Sequence, residues 1–253
     1  MFKKNKALSI TGNSWAVYTY VYGEGQRALI SFDVPFAEEE QHQGYEQCRR
    51  VIAFLPAASV SANGLPADKA ISDQLNKFED KFIKLLEKQA VDCKFVGRMT
   101  YGGMREFVFQ VEEPASFMEV FNKESQKNSA FRIEVKESAG WQFFDEKIKP
   151  KPVYWMQIKD MQVIQQLLNA GSNPNLPHMI EYVITGEQAK LQKVRDEMVR
   201  NGFTEIGFDN SSLVLGKEAR LNIDEIFNIT SRFFNYCPAN GVVYDGWGAA
   251  VRR

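Results

Sequence analysis

This chain has few histidines and no closely spaced pair of cysteines. There are two histidines, His42 and His178, and three cysteines that lie far apart, Cys48, Cys93 and Cys237. Without any Cys-x-x-Cys pair the usual signal for a structural zinc site is missing, and an odd, scattered set gives no disulfide framework. Isolated cysteines of this kind are typical of buried thiols in a reducing compartment, which predicts a cytoplasmic protein.

An excess of charge of one sign is missing as well. Lys and Arg number 31 and Asp and Glu 32, a net charge of −1, with 20 basic and 21 acidic residues through Lys149 and 11 of each from Pro150 onward. Tight nucleic-acid binding normally needs a basic excess that displaces counterions. Direct, tight nucleic-acid binding is therefore disfavoured, although a local basic stripe would not show in this sum.

Long apolar runs are also absent. No segment approaches the roughly 20 apolar residues that span a bilayer, so no membrane association is expected. The apolar stretch Ala7 to Ile10, which follows a basic N-terminus, is too short for the core of a secretory signal.

The sequence contains no GxSxG, HExxH or Walker motif. A nucleophilic pair of His42 with Cys48 is one reading of the loop that holds His42, but a His and a Cys near each other in sequence are usually incidental. The run Glu38-Glu39-Glu40 lacks the spaced oxygen ligands of a calcium loop. His178 precedes a strand, and we expect its ring to bond to backbone or solvent. We predict no catalytic residue, no cofactor and no metal site.

The composition is that of a globular protein, with 44% hydrophobic and 25% charged residues over 253 positions. In the first half, two alternating segments predict a β-hairpin, Trp15 to Tyr22 and Ala28 to Val34. A polar loop is expected over Phe36 to Gln47. From there the pattern predicts the order β-α-β-β-α-β: strand Val51 to Leu55, helix Pro66 to Gln89 with Pro66 in its first turn, strands Cys93 to Thr100 and Met104 to Val111, a helix opened by Pro114, and strand Phe131 to Val135.

The second half repeats this order. The charged, proline-punctuated segment Asp145 to Val153 is the predicted boundary. A helix to Asn169 then precedes β-α-β-β-α-β, with Asn222 as the cap of the last helix and Val242 to Val251 as the last strand. We predict an α+β protein with two tandem ferredoxin-like domains, residues 1–149, which begin with the hairpin, and residues 154–253.

The last strand contains Tyr244-Asp245-Gly246-Trp247-Gly248. Asp-Gly favours a tight turn, because Gly takes positive φ freely and Asp bonds to nearby backbone. Two alternatives stay open for the rings: Tyr244 and Trp247 anchor a partner from an exposed turn, or they pack under the helix that contains Phe233. The predicted partner-binding residues are Tyr244, Asp245 and Trp247.

With these elements in place, the segment Met161 to Val251 resembles the family of regulator of ribonuclease E activity B. The terminal Tyr-Asp-Gly-Trp-Gly is its most specific feature; Leu167 to Ser172, Leu176 to Glu181 and Val199 to Phe203 add to the likeness. The resemblance implies a ferredoxin-like fold and a protein partner, a ribonuclease E-like endonuclease. The long acidic region of that family has no counterpart here.

The segment Ser14 to Pro150 is similar to the bacterial domain-of-unknown-function family 695, which implies no activity. Its likeness rests on Trp15 to Tyr18, Leu29 to Phe36, Leu65-Pro66, Val96 to Thr100 with Arg105 to Phe109, and Trp141 to Pro150. We therefore predict a non-catalytic regulatory or binding protein.

Two alternatives come from other classes of function. In the first, the first-domain sheet around Phe107 stacks single-stranded RNA, with Arg98 and Arg105 as a basic patch. Against it, Phe107 and Phe109 share one face and fit a core, and both arginines fit pairing with Glu106 and Glu112. The second alternative is a hydrolase whose site the sequence hides.

Overall fold

The helices and strands of this chain are distributed over two units. A computed structural model describes residues 10–12, 14–39, 42–127 and 130–253, so that the expectations for residues 1–9 and for Glu40 lie outside it. The chain divides into unit 1, Met1–Pro150, and unit 2, Lys151–Arg253. Unit 1 contains β1 (Trp15–Tyr22), β2 (Gln26–Asp33), α1 (Val34–Glu38), β3 (Gln47–Phe54), a 3-10 turn (Ala57–Ser59), α2 (Lys69–Lys88), β4 (Cys93–Tyr101), β5 (Met104–Val111), α3 (Pro114–Ser125), β6 (Arg132–Ala139) and a π-helical turn (Phe144–Ile148). Unit 2 contains α4 (Pro152–Asn169), β7 (His178–Thr185), α5 (Gln188–Arg200), β8 (Thr204–Phe208), β9 (Ser212–Ala219), α6 (Ile223–Ala239) and β10 (Val243–Ala249).

Unit 1 is built on a six-stranded sheet in the order β1-β2-β4-β5-β3-β6. Every neighbouring pair is antiparallel. The predicted hairpin β1-β2 is confirmed, and it extends the sheet at the β4 edge. Helices α2 and α3 bury one face of the sheet through a cluster of phenylalanines, Phe78, Phe82, Phe107, Phe109 and Phe117.

Helix α2 begins later than the sequence predicts. The side chain of Asp68 accepts a hydrogen bond from the amide of Ile71, which satisfies one of the free donors of the first turn. Pro66 lies before this cap, in an antiparallel bridge with Val60. Its predicted place in the first turn is therefore wrong, because the Asp68 cap fixes the start of the helix.

A short helix interrupts the predicted polar loop of unit 1. Helix α1 spans Val34–Glu38 with a proline in its first turn, and it buries Ala37. Strand β3 also begins earlier than predicted, at Gln47, because it pairs along its whole length with β5 and β6. Ladder pairing to two neighbours extends this strand beyond its apolar segment.

Unit 2 is built on a four-stranded antiparallel sheet in the order β10-β7-β9-β8. Residues of α5 and α6 pack on one face of it, where Tyr182 and Leu215 are fully buried. Asn222 caps α6 as predicted, since its side chain accepts hydrogen bonds from the amides of Asp224 and Glu225. The prediction of a mixed α+β protein is confirmed.

Within the described ranges of the chain, no helix combines the length and the apolar character that a membrane crossing needs.

Candidate functional site

The last strand of unit 2 contains a β-bulge. In the pairing of β10 with β7, Tyr244 lies opposite Ile184 and Gly246 lies opposite Val183, which leaves Asp245 as an extra residue. The predicted tight turn at Asp245-Gly246 is therefore wrong, because the dipeptide lies inside a strand. The φ of Gly246 is 123°, a value that residues with a side chain rarely adopt. A bulge of this kind redirects the side chains that follow it.

The bulge places both aromatic rings of the C-terminal motif on one face. Tyr244 and Trp247 are three residues apart and would point to opposite faces of a regular strand. With the extra residue, Trp247 lies opposite Tyr182 and Tyr244 opposite Ile184. Both of those partners are 0% exposed core residues on the helix-covered face. The geometry thus favours packing over exposure for the two rings, which are half-buried, while Asp245 between them is exposed.

Trp247 takes part in a buried polar cluster with Asp160 of α4 and Thr230 of α6. The indole Nε1 of Trp247 donates to Asp160 Oδ1 at 2.8 Å, and the hydroxyl of Thr230 donates to Asp160 Oδ2 at 2.6 Å. Asp160 is 2% exposed. Burial raises the pKa of the Asp160 carboxyl, and the two hydrogen bonds partly oppose that rise. These directional hydrogen bonds fix the positions of α4, α6 and β10 relative to one another more tightly than apolar contacts would.

Two tyrosines also lie on the helix-covered face of the sheet, which we call the inner side. The ring of Tyr244 stacks on Phe233 with centroids 5.4 Å apart, and Phe233 also contacts Tyr182 at 5.4 Å. The hydroxyls of Tyr182 and Tyr244 are buried and have no hydrogen-bond partner among the described residues. Burial, followed by the field of Asp160, raises the pKa of both hydroxyls. The inner side of the motif is therefore a structural anchor that contains poorly solvated polar groups.

The opposite side of this sheet, which we call the outer face, is exposed to solvent. The strand pairing assigns it Met179, Glu181, Val183, Thr185, Thr204, Gly207, Ser212, Val214, Gly216, Glu218, Val243, Gly246 and Gly248. Ile206, the extra residue at a bulge in β8, also lies on this face, because its side chain covers Gly216. Met179 is 37%, Ile206 46% and Val243 61% exposed. A Cβ added at Gly246 or at Gly248 would meet no atom within 4 Å. The outer face is therefore flat along β10 and apolar at its centre.

The charges of the outer face have one sign. Glu181 and Glu218 are exposed on it, and none of its positions carries Lys or Arg. Neither glutamate forms an ion pair within the described part of the chain. A face with this composition repels phosphate and is suited to a protein surface that carries basic and apolar groups.

In unit 1, His42 lies in a small aromatic enclosure. Its ring stacks on Trp141 with centroids 3.9 Å apart and meets Phe144 edge-on. One ring nitrogen is 3.1 Å from Glu39 Oε2 and the other is 3.2 Å from Asp145 Oδ1. Both hydrogen bonds form at once only when the imidazole carries two protons. His42 thus connects two acidic side chains.

Cys48 lies on β3 and is 0% exposed. Burial raises the pKa of its thiol to about 11, so the thiolate that a nucleophile requires is not formed at neutral pH. Of the acidic run, Glu39 contacts His42 and Glu40 lies outside the described residues. Across the described ranges, no group of three or more His, Cys, Asp or Glu side chains is placed to hold a metal ion.

The aromatic residues of the RNA alternative lie in the core. Phe107 and Phe109 are each 1% exposed beneath α2 and α3, so their rings are closed to bases. Arg98 donates to Glu79 at 2.6 Å, and Arg105 donates to Thr100 at 2.8 Å. The expected pairing of these arginines with Glu106 and Glu112 is wrong, since the helix α2 supplies the acidic partner of Arg98. His178 Nδ1 donates a hydrogen bond to the carbonyl of Leu176 at 2.9 Å, a backbone partner as the sequence predicts.

Comparison with known families accounts for both units. The model of the family described as "Family of unknown function (DUF695)" matches residues 13–147, which is more than half of the 253 residues. The chain belongs to this family. Both resemblances inferred from the sequence are confirmed, because a second model, "Regulator of ribonuclease activity B", matches residues 157–249.

A curated relative supports the second match. Regulator of ribonuclease activity B from Shewanella amazonensis (strain ATCC BAA-1098 / SB2B) is 28% identical over 102 residues, which cover 36% of this chain and 72% of the relative. The matched region 157–249 of this DUF695-family chain contains Asp160, all four strands of the unit 2 sheet and the bulge at Asp245.

Sequence reasoning missed Asp160 and the outer face. A signal for Asp160 was present, because it lies four residues before Ile164 and seven before Leu167, on the apolar stripe of a helix. A carboxylate at such a position indicates a buried partner. The outer face had a weaker signal, because Met179, Glu181 and Val183 alternate with the buried residues of β7.

Proposed function

We propose that this chain is a non-catalytic regulatory protein that acts by binding another protein through unit 2, and that the partner is an RNA-processing ribonuclease of the ribonuclease E type. The match of residues 157–249 to Regulator of ribonuclease activity B carries the proposal. The relative from Shewanella adds support, because its name assigns it to the control of a ribonuclease activity.

The proposal includes two domains of one architecture, residues 1–149 and 154–253, each with a ferredoxin-like fold. Four strands of unit 1 follow the order β4-β5-β3-β6, and the strands of unit 2 follow β8-β9-β7-β10. When the strands of each β-α-β-β-α-β unit are numbered along the chain, the spatial order in both sheets is second, third, first, fourth. This shared order supports the assignment.

The proposed binding region is β10 together with the outer face. Within it, Tyr244 and Trp247 hold the strand from the inner side, and Asp245 reaches solvent at the edge of the sheet. Exposed apolar residues surrounded by polar ones are the usual composition of a protein contact. The acidic charge of the outer face favours a protein over RNA as the ligand. The region is distinct from a catalytic site, because it holds no nucleophile or general base in an enclosed pocket.

The proposed location is the cytoplasm. Cys48, Cys93 and Cys237 are all buried free thiols, which suit a reducing compartment.

Interferometry with an immobilised ribonuclease E-like endonuclease tests the proposal, together with the rate at which that enzyme cleaves a fluorescent RNA. Gly248→Arg adds bulk and positive charge to the outer face without a clash at Cβ. Asn228→Arg makes a comparable change at an exposed position on α6 and is the matched control.

We expect the wild-type chain and Asn228→Arg to bind and to change the cleavage rate, and Gly248→Arg to bind at least about tenfold more weakly, a loss of about 1.4 kcal/mol. Asp245→Lys is a second variant in case Gly248→Arg unfolds. Absence of wild-type binding at micromolar concentration would contradict the ribonuclease proposal. Equal binding by all variants would contradict the location.

A further inference from the structure

A groove of about 270 Å³ opens on unit 2, on the helix-covered side and away from the outer face. Phe203, Phe233 and Met198 form its apolar floor, and Ile229 of α6 lines its side. The rings of Phe203 and Phe233 are in contact, with centroids 5.5 Å apart. Two buried residues, Phe233 at 2% and Met198 at 8% exposure, thus reach the bottom of an open depression.

The polar side of this groove carries positive charge. Lys217 follows Leu213 and Leu215 on the inner side of β9, where both leucines are 0% exposed. Its Nζ lies 4.7 Å from the centroid of the Phe203 ring, held over the apolar floor. Arg232 of α6 is the second cation of the lining and is exposed.

Neither cation is neutralised by an acidic neighbour. Lys217 and Arg232 form no ion pair within the described part of the chain, and no Asp or Glu lines the groove. Glu197 lies outside the lining, where its carboxylate accepts a hydrogen bond from the hydroxyl of Tyr236 at 2.6 Å. The described part of the protein therefore supplies no counterion to this inward-facing lysine, and a bound anion would provide one.

We propose that this groove binds a small anionic amphiphile, a carboxylate on a short apolar or aromatic body. The body would lie on Phe203, Phe233 and Met198, and the carboxylate would receive hydrogen bonds from Lys217 and Arg232. Guanidinium and ammonium groups together are a common pair for a carboxylate, because the guanidinium presents two parallel donors.

The size of the groove selects the ligand. Pockets for drug-sized molecules span about 300–1,000 Å³, so that a groove of about 270 Å³ suits a smaller ligand, and we choose a medium-chain carboxylate as the probe. The proposal is independent of the ribonuclease partner, since the groove and the outer face lie on opposite sides of the sheet.

The test is a titration of the full chain, labelled with ¹³C at the methyl groups of Ile and Met, with octanoate, octanol and octylamine. Ile229 and Met198 report directly on the groove, and calorimetry gives the affinities. Lys217→Gln and Arg232→Gln each remove one cation, and Lys193→Gln removes the same charge from an exposed position of α5 outside the groove.

We expect octanoate to shift the Ile229 and Met198 methyl signals saturably, octanol to bind more weakly, and octylamine to bind least. Each groove variant should weaken octanoate about three- to tenfold, the effect of losing one partly screened charged contact, and Lys193→Gln should leave it unchanged. Added salt should weaken octanoate more than octanol. Equal affinity for the three head groups, or no methyl shift at millimolar octanoate, would overturn the proposal.

Discussion

Replacing Trp247 by Phe tests the structural role of the C-terminal motif. The substitution removes the indole N–H that Asp160 Oδ1 accepts at 2.8 Å and keeps an aromatic ring in place. Asp160 is 2% exposed and would retain one side-chain donor, Thr230 at 2.6 Å. A hydrogen bond to a charged group contributes about 1.5–3 kcal/mol. We therefore expect unit 2 to lose about 2 kcal/mol of stability.

In thermal terms the loss is large. For a unit of this size, each 1 kcal/mol lowers Tm by roughly 4–8 °C, so that the expected change is about 8–16 °C. Because the chain has two units, a single overall transition is not assumed. Hydrogen exchange of the β7 amides in the full chain, followed by mass spectrometry, reports on unit 2 alone.

The matched background is Asp160→Asn. The amide oxygen can still accept from Trp247, and its NH₂ can donate to the oxygen of Thr230, whose own hydroxyl then turns to the carbonyl of Phe227 at 3.4 Å. In this neutral background Trp247→Phe should cost only about 1 kcal/mol, the value of an uncharged hydrogen bond. The two costs then differ by about 1 kcal/mol in a double-mutant cycle. Equal costs in the two backgrounds would refute the view that Trp247 stabilises a buried charge.

Three further predictions concern single features. Burial raises the pKa of Asp160 in the folded state, so the wild type should gain stability relative to Asp160→Asn as pH falls through that raised pKa towards the unfolded value of about 3.9. Urea midpoints measured over a pH series check the sign, and a constant difference would contradict it. Gly246→Ala should destabilise unit 2 by about 1–2 kcal/mol, because Gly246 has φ 123°. The control Gly248→Ala, whose Cβ meets open space, should change stability by less than about 0.5 kcal/mol. Equal losses for the two variants in thermal unfolding would argue against the bulge. Burial raises the thiol pKa to about 11 for Cys48, about 12 for Cys93 and about 11 for Cys237. A disulfide reagent at mildly alkaline pH should therefore label all three cysteines only in urea. Rapid labelling of the native chain would show that a cysteine is accessible.

Local patterns made much of the architecture predictable. Trp15–Tyr22 and Met104–Val111 have the predicted bounds, because β-branched and aromatic residues next to a glycine turn define a strand without help from distant residues. The cap at Asn222 is another local signal, since the donors it satisfies lie two and three residues away. Segments whose structure depends on a neighbour were predicted less well, and β3 is the clearest example, because pairing on both sides extends it to Gln47.

The candidate site shows the same division more sharply. The sequence drew attention to Tyr244, Asp245 and Trp247, and the family likeness of this stretch was visible from its residues alone. The direction of each ring was not, because one extra residue in a strand moves every later side chain to the other face, and pairing with β7 decides whether that residue is a bulge or a turn.

The amino-acid sequence by itself determined the α+β class, the order of the strands and longer helices, and the two family likenesses, since these depend on periodicity, caps and residue identity over short spans. Only the tertiary structure decided that Trp247 meets Asp160, 87 positions away in the chain, and that Lys217 lies over Phe203. Contacts of this kind depend on strand register and on helix packing across the sheet. No local pattern encodes these, because their free energy comes from groups that meet only once the chain has folded.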